Sequence, residues 1–168
     1  MLISKIEPKP PTLKVIQALP RMQSPITEPE IEKFLESSRL NIQLATIDEN
    51  GYPNIHPTWF YYDRDSEKLY LVTQKTTKKV QNIRRNPDKI YFSIDDENSP
   101  YKGVKGRAEA SISENMQKNV AIVEKMFLKY LGTPDHPLTK TIIETVRNGT
   151  EVVVEITPRF FSAWDYGR

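Results

Sequence analysis

LYLVTQKTTKKVQNIRRNP, residues 69–87, carries an apolar strand into a hydroxyl-rich turn, then paired lysines, then a helix that Pro87 stops. Val80 and Ile83 face a core from that helix, which is expected over residues 76–86. Helix N-termini leave backbone N–H groups unpaired and carry partial positive charge, so an anion placed there meets ready donors. Thr73, Thr76 and Thr77 add hydroxyls, and Lys75, Lys78 and Lys79 add ammonium groups, all of which favour a phosphate. The competing reading of the same residues is a solvated basic helix start that binds nothing.

Upstream, LNIQLATI (residues 40–47) alternates apolar with polar, which marks a half-buried strand, and Asp48-Glu49-Asn50-Gly51 supplies hairpin-turn chemistry. The returning second strand, 53–62, contains Pro53 and Pro57, which donate nothing to a ladder. It is therefore expected to be irregular, bulged or at an edge, with backbone groups open to a ligand. Residues 63–67 turn into the third strand, 68–73. Before these, Thr27-Glu28-Pro29-Glu30 reads as a capping box that starts a helix over 28–38, with Ile31, Phe34 and Leu35 on one face.

Downstream, 89–95 and 102–112 read as strands four and five. Ser113 is expected to cap a long helix over 114–131, where Val120, Ile122, Val123, Met126, Phe127, Tyr130 and Leu131 recur at helical spacing before Gly132 ends it. A further helix covers about 138–147, and 150–164 closes the chain as strand six with a bulge or bend at Pro158. Six strands with short links and helices between them predict an α+β protein, a six-stranded antiparallel sheet closed as a small β-barrel with flanking helices.

The 168 residues suit one domain, 27–168, preceded by a proline-rich arm, 1–26, whose five prolines imply an extended chain with at most a short helical piece at 13–19. Such an arm suits wrapping a partner subunit. A net charge of +2 with 27% charged residues calls for neither nucleic acid nor an anionic membrane, so any basic patch is local. With no cysteine, disulfides, thiolate ligands and a thiol nucleophile are excluded; with only His56 and His136, no metal site is expected. The N-terminus lacks the apolar core of a signal peptide and no segment approaches roughly 20 apolar residues, so a cytoplasmic location is expected. Asn148-Gly149-Thr150 spells a glycosylation sequon and reads as the turn into the last strand.

Taken in order, the pieces resemble the pyridoxamine 5′-phosphate oxidase-like, FMN-binding split-barrel family over about residues 28–166. The resemblance rests on the helix at 28–38, ATIDENGYP (45–53), HPTWF (56–60), Leu71-Val72-Thr73 with Thr77-Lys78-Lys79-Val80, Asn82-Ile83 to Asn86-Pro87, and VKGRA (104–108). It implies a homodimer with FMN in a groove between two subunits. Val72 and Thr73 then match positions lining the flavin phosphate and ribityl chain. Thr77, Lys78 and Lys79 match a Ser-Arg-Lys triplet whose basic residues bind phosphate, with Lys78 replacing a bidentate guanidinium by a point charge. His56, Pro57, Thr58 and Trp59 match the segment edging the isoalloxazine ring, and Trp164 is the expected contact from the other subunit. Arg107 is a candidate for the flavin pyrimidine edge or a substrate anion; a surface salt bridge is its other reading. Trp59, Phe60, Tyr61, Tyr101 and Trp164 are candidate ring walls, or ordinary packing aromatics.

The expected activity is that of an FMN-binding oxidoreductase acting on a small-molecule substrate, with the flavin doing the redox chemistry. No side-chain nucleophile or acid–base pair stands out, and the ending AWDYGR offers only Arg168 for a substrate phosphate, against vitamin B6 oxidation. Alternatives are a deazaflavin-dependent reductase, with Lys75, Arg84 and Arg85 meeting a longer anionic tail, and a non-catalytic flavin-binding module. Nucleic-acid binding through the same lysines and arginines is disfavoured by the near-neutral charge.

Overall fold

The computed structural model describes residues 14–18 and 26–168. The chain runs β1 (Lys14–Gln17), α1 (Glu28–Ser37), β2 (Ile42–Ile47), β3 (Pro53–Thr58), β4 (Tyr61–Asp63), β5 (Lys68–Gln74), α2 (Lys78–Arg85), β6 (Ile90–Asp96), β7 (Lys102–Ser113), α3 (Met116–Leu131), α4 (Pro137–Arg147), β8 (Glu151–Pro158) and β9 (Phe160–Asp165). The class is α+β as expected, but nine strands stand where six were expected. Two expected strands are each cut in two, and the arm contributes one more.

The first cut falls at Trp59-Phe60. Phe60 is fully buried in the barrel core, while Trp59 turns into the layer beneath α3, and the Phe60 amide donates to Tyr130 Oη at 3.2 Å rather than to a neighbouring strand. A strand whose consecutive side chains enter two different cores cannot keep its ladder there. The second cut follows Pro158, where the Arg159 amide donates to the Arg107 carbonyl at 2.8 Å and the chain changes partners. β7 makes the matching change, pairing β8 through its C-terminal half and β9 through its N-terminal end. The added strand is β1, which runs parallel to β9 in an arm expected to be extended with at most a short helical piece at 13–19. Beyond β1, Ala18 donates its amide to the Ala163 carbonyl at 2.9 Å and Ile26 is buried; the remaining residues of the arm lie outside the described residues.

Hydrogen bonding orders the sheet β3-β2-β6-β7-β8-β5-β4, with β9 joined to β7. The two ends of this path are consecutive in the chain, which gives the split in the barrel. Pro53 and Pro57 sit on the end strand β3, as their missing donors require. Leu44, Phe60, Leu69, Leu71, Phe92, Val154 and Phe161 fill the interior together with Ile31 and Leu35 of α1. α3 and α4 cover the outside of β5 and β8, so Val152, Val153 and Val154 are all buried, inward and outward alike.

The amide and hydroxyl of Thr27 both donate to the Glu30 carboxylate (2.8 and 2.9 Å), fixing the start of α1. The start of α3 is set by Asn115, whose Oδ1 accepts from the Lys118 amide at 3.0 Å; Ser113 instead ends β7, and its carbonyl accepts from Asn119. Among the described residues no helix is long and apolar enough to cross a membrane.

Candidate functional site

The β5–α2 junction gathers four of the expected residues. Thr73 lies buried at the end of β5, and Thr77 precedes the first turn of α2. The Thr77 hydroxyl donates to the Gln74 carbonyl at 2.9 Å, so no side chain caps the amides that open the helix. Lys79 reaches back over this end and donates from Nζ to Thr73 Oγ1 at 3.0 Å, with Thr77 Oγ1 3.4 Å from the same oxygen. No carboxylate pairs with Lys79 among the described residues, and burial pushes its pKa below the usual lysine value.

His56 enters from β3. That strand alternates, with Asn54, His56 and Thr58 on its half-buried side and Ile55 and Pro57 exposed. The Nε2 atom of His56 is buried and has no hydrogen-bond partner among the described residues. Desolvation, and after it the positive charge of Lys79, holds the imidazole below its ordinary pKa. Asn82, fully buried, locks the two elements together: its Nδ2 donates to Thr46 Oγ1 at 3.0 Å, and Thr46 Oγ1 donates to the Asn54 carbonyl at 3.4 Å. Lys79 lies one helical turn before Asn82, and His56 lies two residues beyond Asn54 on the same side of its strand, so both face the junction.

The arrangement is positive, polar and short of an acceptor. Two basic groups have lost water without gaining a counter-ion, beside two hydroxyls and an uncapped helix end. Lys79 and Thr77 already donate within the chain, to Thr73 and to the Gln74 carbonyl, while the first amides of α2 and His56 Nε2 are without a partner among the described residues; anion oxygens suit such a donor set.

Other expected residues serve different contacts within the chain. Lys78 turns to the β2–β3 hairpin, where Nζ meets Glu49 at 2.6 Å, and Arg85 flanks the same carboxylate at 3.7 Å. Val72, opposite to Thr73 on its strand, packs against the α3–α4 layer. Trp59 stacks on Tyr130 (centroids 4.6 Å apart, 7° between planes) and meets Phe127 edge-on. Arg107 is exposed on the outer sheet face, in register with Tyr91. Trp164 lies over Gly103 in a cleft of about 290 Å³ shared with Phe34, Lys102 and Arg168. His136 Nδ1 accepts from the Leu138 amide at 3.1 Å, a helix cap. Asn82 was not among the residues nominated from the sequence; the available signal is an amide between Val80 and Ile83 on the core face of α2.

The sequence matches the family model described as Pyridoxamine 5′-phosphate oxidase over residues 27–164. Comparison with curated proteins finds no match. Among solved structures, a conserved hypothetical protein from Mycobacterium tuberculosis superimposes with a TM-score of 0.74 at 27% identity, covering 87% of this chain and 89% of that one. An F420 reductase superimposes with a TM-score of 0.56 at 25% identity, covering 77% of this chain and 94% of that one. The heme storage protein HutZ from Vibrio cholerae, 18% identical, shares the fold with a TM-score of 0.62 over 82% of this chain and 93% of that one.

Proposed function

This chain belongs to the pyridoxamine 5′-phosphate oxidase family, and from that premise we propose that it is a homodimeric flavin-dependent oxidoreductase that holds FMN by its phosphate at the β5–α2 junction. The observation that carries the reading is the Lys79 ammonium laid over Thr73 at the uncapped start of α2, with no carboxylate partner among the described residues, while His56 Nε2 on β3 is buried without a hydrogen-bond partner. Thr73, Thr77, Lys79 and His56 would hold the phosphate, together with the first amides of α2. Charge-assisted hydrogen bonds contribute roughly 1.5–3 kcal/mol each, so this set supports micromolar or tighter binding. The flavin, once bound, supplies the two-electron chemistry. The chain anchors it and keeps water from its phosphate end.

For the dimer, the support is an outer sheet face on which Ile55 and Tyr91 are 62% and 43% exposed and stand in one register row with Ala45. Trp164 takes part in this reading as a contact made across the subunit boundary, and Arg107 as a candidate for the flavin pyrimidine edge or a substrate anion. Arg168 is tied to Glu30 and Asp165, which leaves it poorly placed to receive a substrate phosphate and argues against vitamin B6 oxidation.

The second reading is a deazaflavin-dependent reductase, favoured by the likeness to the F420 reductase. Against it, of the three cations expected to meet a longer anionic tail, Lys75 and Arg84 both pair with Glu114 at 2.9 and 2.8 Å and Arg85 lies 3.7 Å from Glu49. Equilibrium titration with FMN, riboflavin and the deazaflavin coenzyme separates these outcomes. FMN binding far more tightly than riboflavin is expected. Equal affinities for FMN and riboflavin would sink the phosphate cradle, and preference for the deazaflavin would promote the second reading.

A further inference from the structure

We propose that His56 is the proton-coupled arm of the cradle: a dianionic phosphomonoester binds there together with one proton taken up at Nε2, which then donates to a phosphate oxygen. This deepens the phosphate reading and rests on it.

The geometry comes first. The Asn82–Thr46–Asn54 chain of hydrogen bonds fixes α2 against β2 and β3; His56 lies on the same side of β3 as Asn54, Lys79 lies one turn before Asn82, and the Lys79 charge bears on the imidazole. Nε2 is sealed from water with no partner of its own, and an imidazole nitrogen in that state lacks one hydrogen bond whichever tautomer is present. An oxygen-rich ligand in the junction is what it lacks.

The charges around His56 fix the direction of the coupling. From α2, the cation facing it is Lys79. From β2, its register partner is Leu44, which carries no charge, and Thr46 is a neutral hydroxyl. Thr73 at the end of β5 and Thr77 at the start of α2 are likewise neutral; of the hairpin carboxylates, Glu49 is occupied by Lys78 and Arg85, and Asp48 accepts from the Asn50 and Tyr52 amides. Without ligand, a second positive charge beside Lys79 is therefore disfavoured and the imidazole stays neutral. A dianion reverses this, because two protonated bases then match two negative charges. The proton comes from solvent, is held on Nε2, and returns to solvent when the ligand leaves. Riboflavin, which lacks the phosphate, gives no such reversal.

Calorimetric titration of FMN at pH 7.5 in buffers of different ionisation enthalpy reads the proton count directly. The wild-type protein is expected to take up a substantial fraction of one proton per FMN. His56→Gln, which keeps a polar side chain, should still bind FMN with that uptake gone. Between pH 6.5 and 8.5 the wild-type affinity should fall by up to tenfold per pH unit relative to the variant, whose ligand titrates identically. Proton uptake equal in wild type and H56Q, or an unchanged relative pH profile, overturns the proposal while leaving FMN binding at the cradle intact. A wild-type protein that binds FMN no better than riboflavin overturns the proposal and the phosphate reading together.

Discussion

Lys78 and Lys79 are adjacent in sequence and opposite in situation. A helix turns about 100° per residue, so when Lys79 folds over Thr73, Lys78 is carried round to Glu49. An exposed pair such as Lys78–Glu49 contributes on the order of 0–1 kcal/mol, whereas a desolvated ammonium on a phosphate contributes about 1.5–3 kcal/mol. Lys79→Ala is therefore expected to weaken FMN binding by roughly 10- to 100-fold and Lys78→Ala by only a few-fold, measured by fluorescence titration. Equal effects would refute this division. The sequence nominated both lysines because spacing alone does not say which of two neighbours faces inward. Lys129 is a second residue whose burial has a measurable consequence. Its Nζ donates to the Leu35 carbonyl at 2.9 Å and lies 3.7 Å from the Phe60 ring centroid, and burial pushes its pKa down to about 8. The folded state thus binds fewer protons at this site than the unfolded state between about pH 8 and the ordinary lysine value of 10.5, so this group makes stability rise with pH across that window. Lys129→Met should lose that slope in urea midpoints compared at pH 7.5 and 9.5; an unchanged slope would refute it.

At the scale of elements, the breaks and approaches of the sheet carry the information that periodicity missed. Helix positions were legible within a few residues, because each helix has an apolar stripe and a recognisable start or stop. The prolines of β3 correctly marked an edge. What alternation could not show is where a strand changes partners, as at Trp59-Phe60 and at Arg159, since β-type sequence continues on both sides of each break. Nor could it show why Gly106 is glycine. A Cβ there would lie 2.1 Å from the Phe160 carbonyl oxygen and 3.0 Å from the Phe92 ring, so β7 and β9 cross with no room for a methyl group. Gly106→Ala is expected to destabilise by about 1–3 kcal/mol or more through overpacking against backbone. Gly51 differs: space is open, but its φ of +85° costs a side chain about 1–2 kcal/mol in backbone strain. Tyr130 ties the broken strand to α3, its Oη donating to the Leu40 carbonyl at 2.6 Å while accepting from the Phe60 amide. Tyr130→Phe leaves both groups short of a partner and should cost about 1–3 kcal/mol, read from denaturant midpoints.

At the scale of the whole molecule, the proposed phosphate cradle and the proposed dimer face lie on different surfaces. The cradle opens at the β5–α2 junction, while Ile55, Ala45, Tyr91 and Arg107 form one register row across β3, β2, β6 and β7 on the outer sheet face. Phe160 meets Tyr91 edge-on beside that row, with ring centroids 6.3 Å apart. The order of the motifs along the chain made the family legible from sequence, and the exposed side of β2 and β6 made the half-buried strands legible. Which of the exposed residues answer a second copy was not legible, because alternation separates inside from outside without naming what lies outside. An apolar row flanked by Arg107 and Lys105, left open to water, is the kind of patch that a partner covers. Placing a charge in its middle tests this without touching the cradle: Ile55→Glu buries an unpaired carboxylate in the proposed interface and leaves the monomer fold undisturbed, since Ile55 points away from the barrel core. Sedimentation equilibrium should then show the wild-type protein as a dimer and the variant as a monomer at micromolar concentration. FMN affinity should fall at least tenfold in the variant, because the ring contacts expected from the second subunit are lost. A variant that remains dimeric would reject this face as the interface, and a monomer that binds FMN as tightly as the wild type would show that one chain completes the site alone.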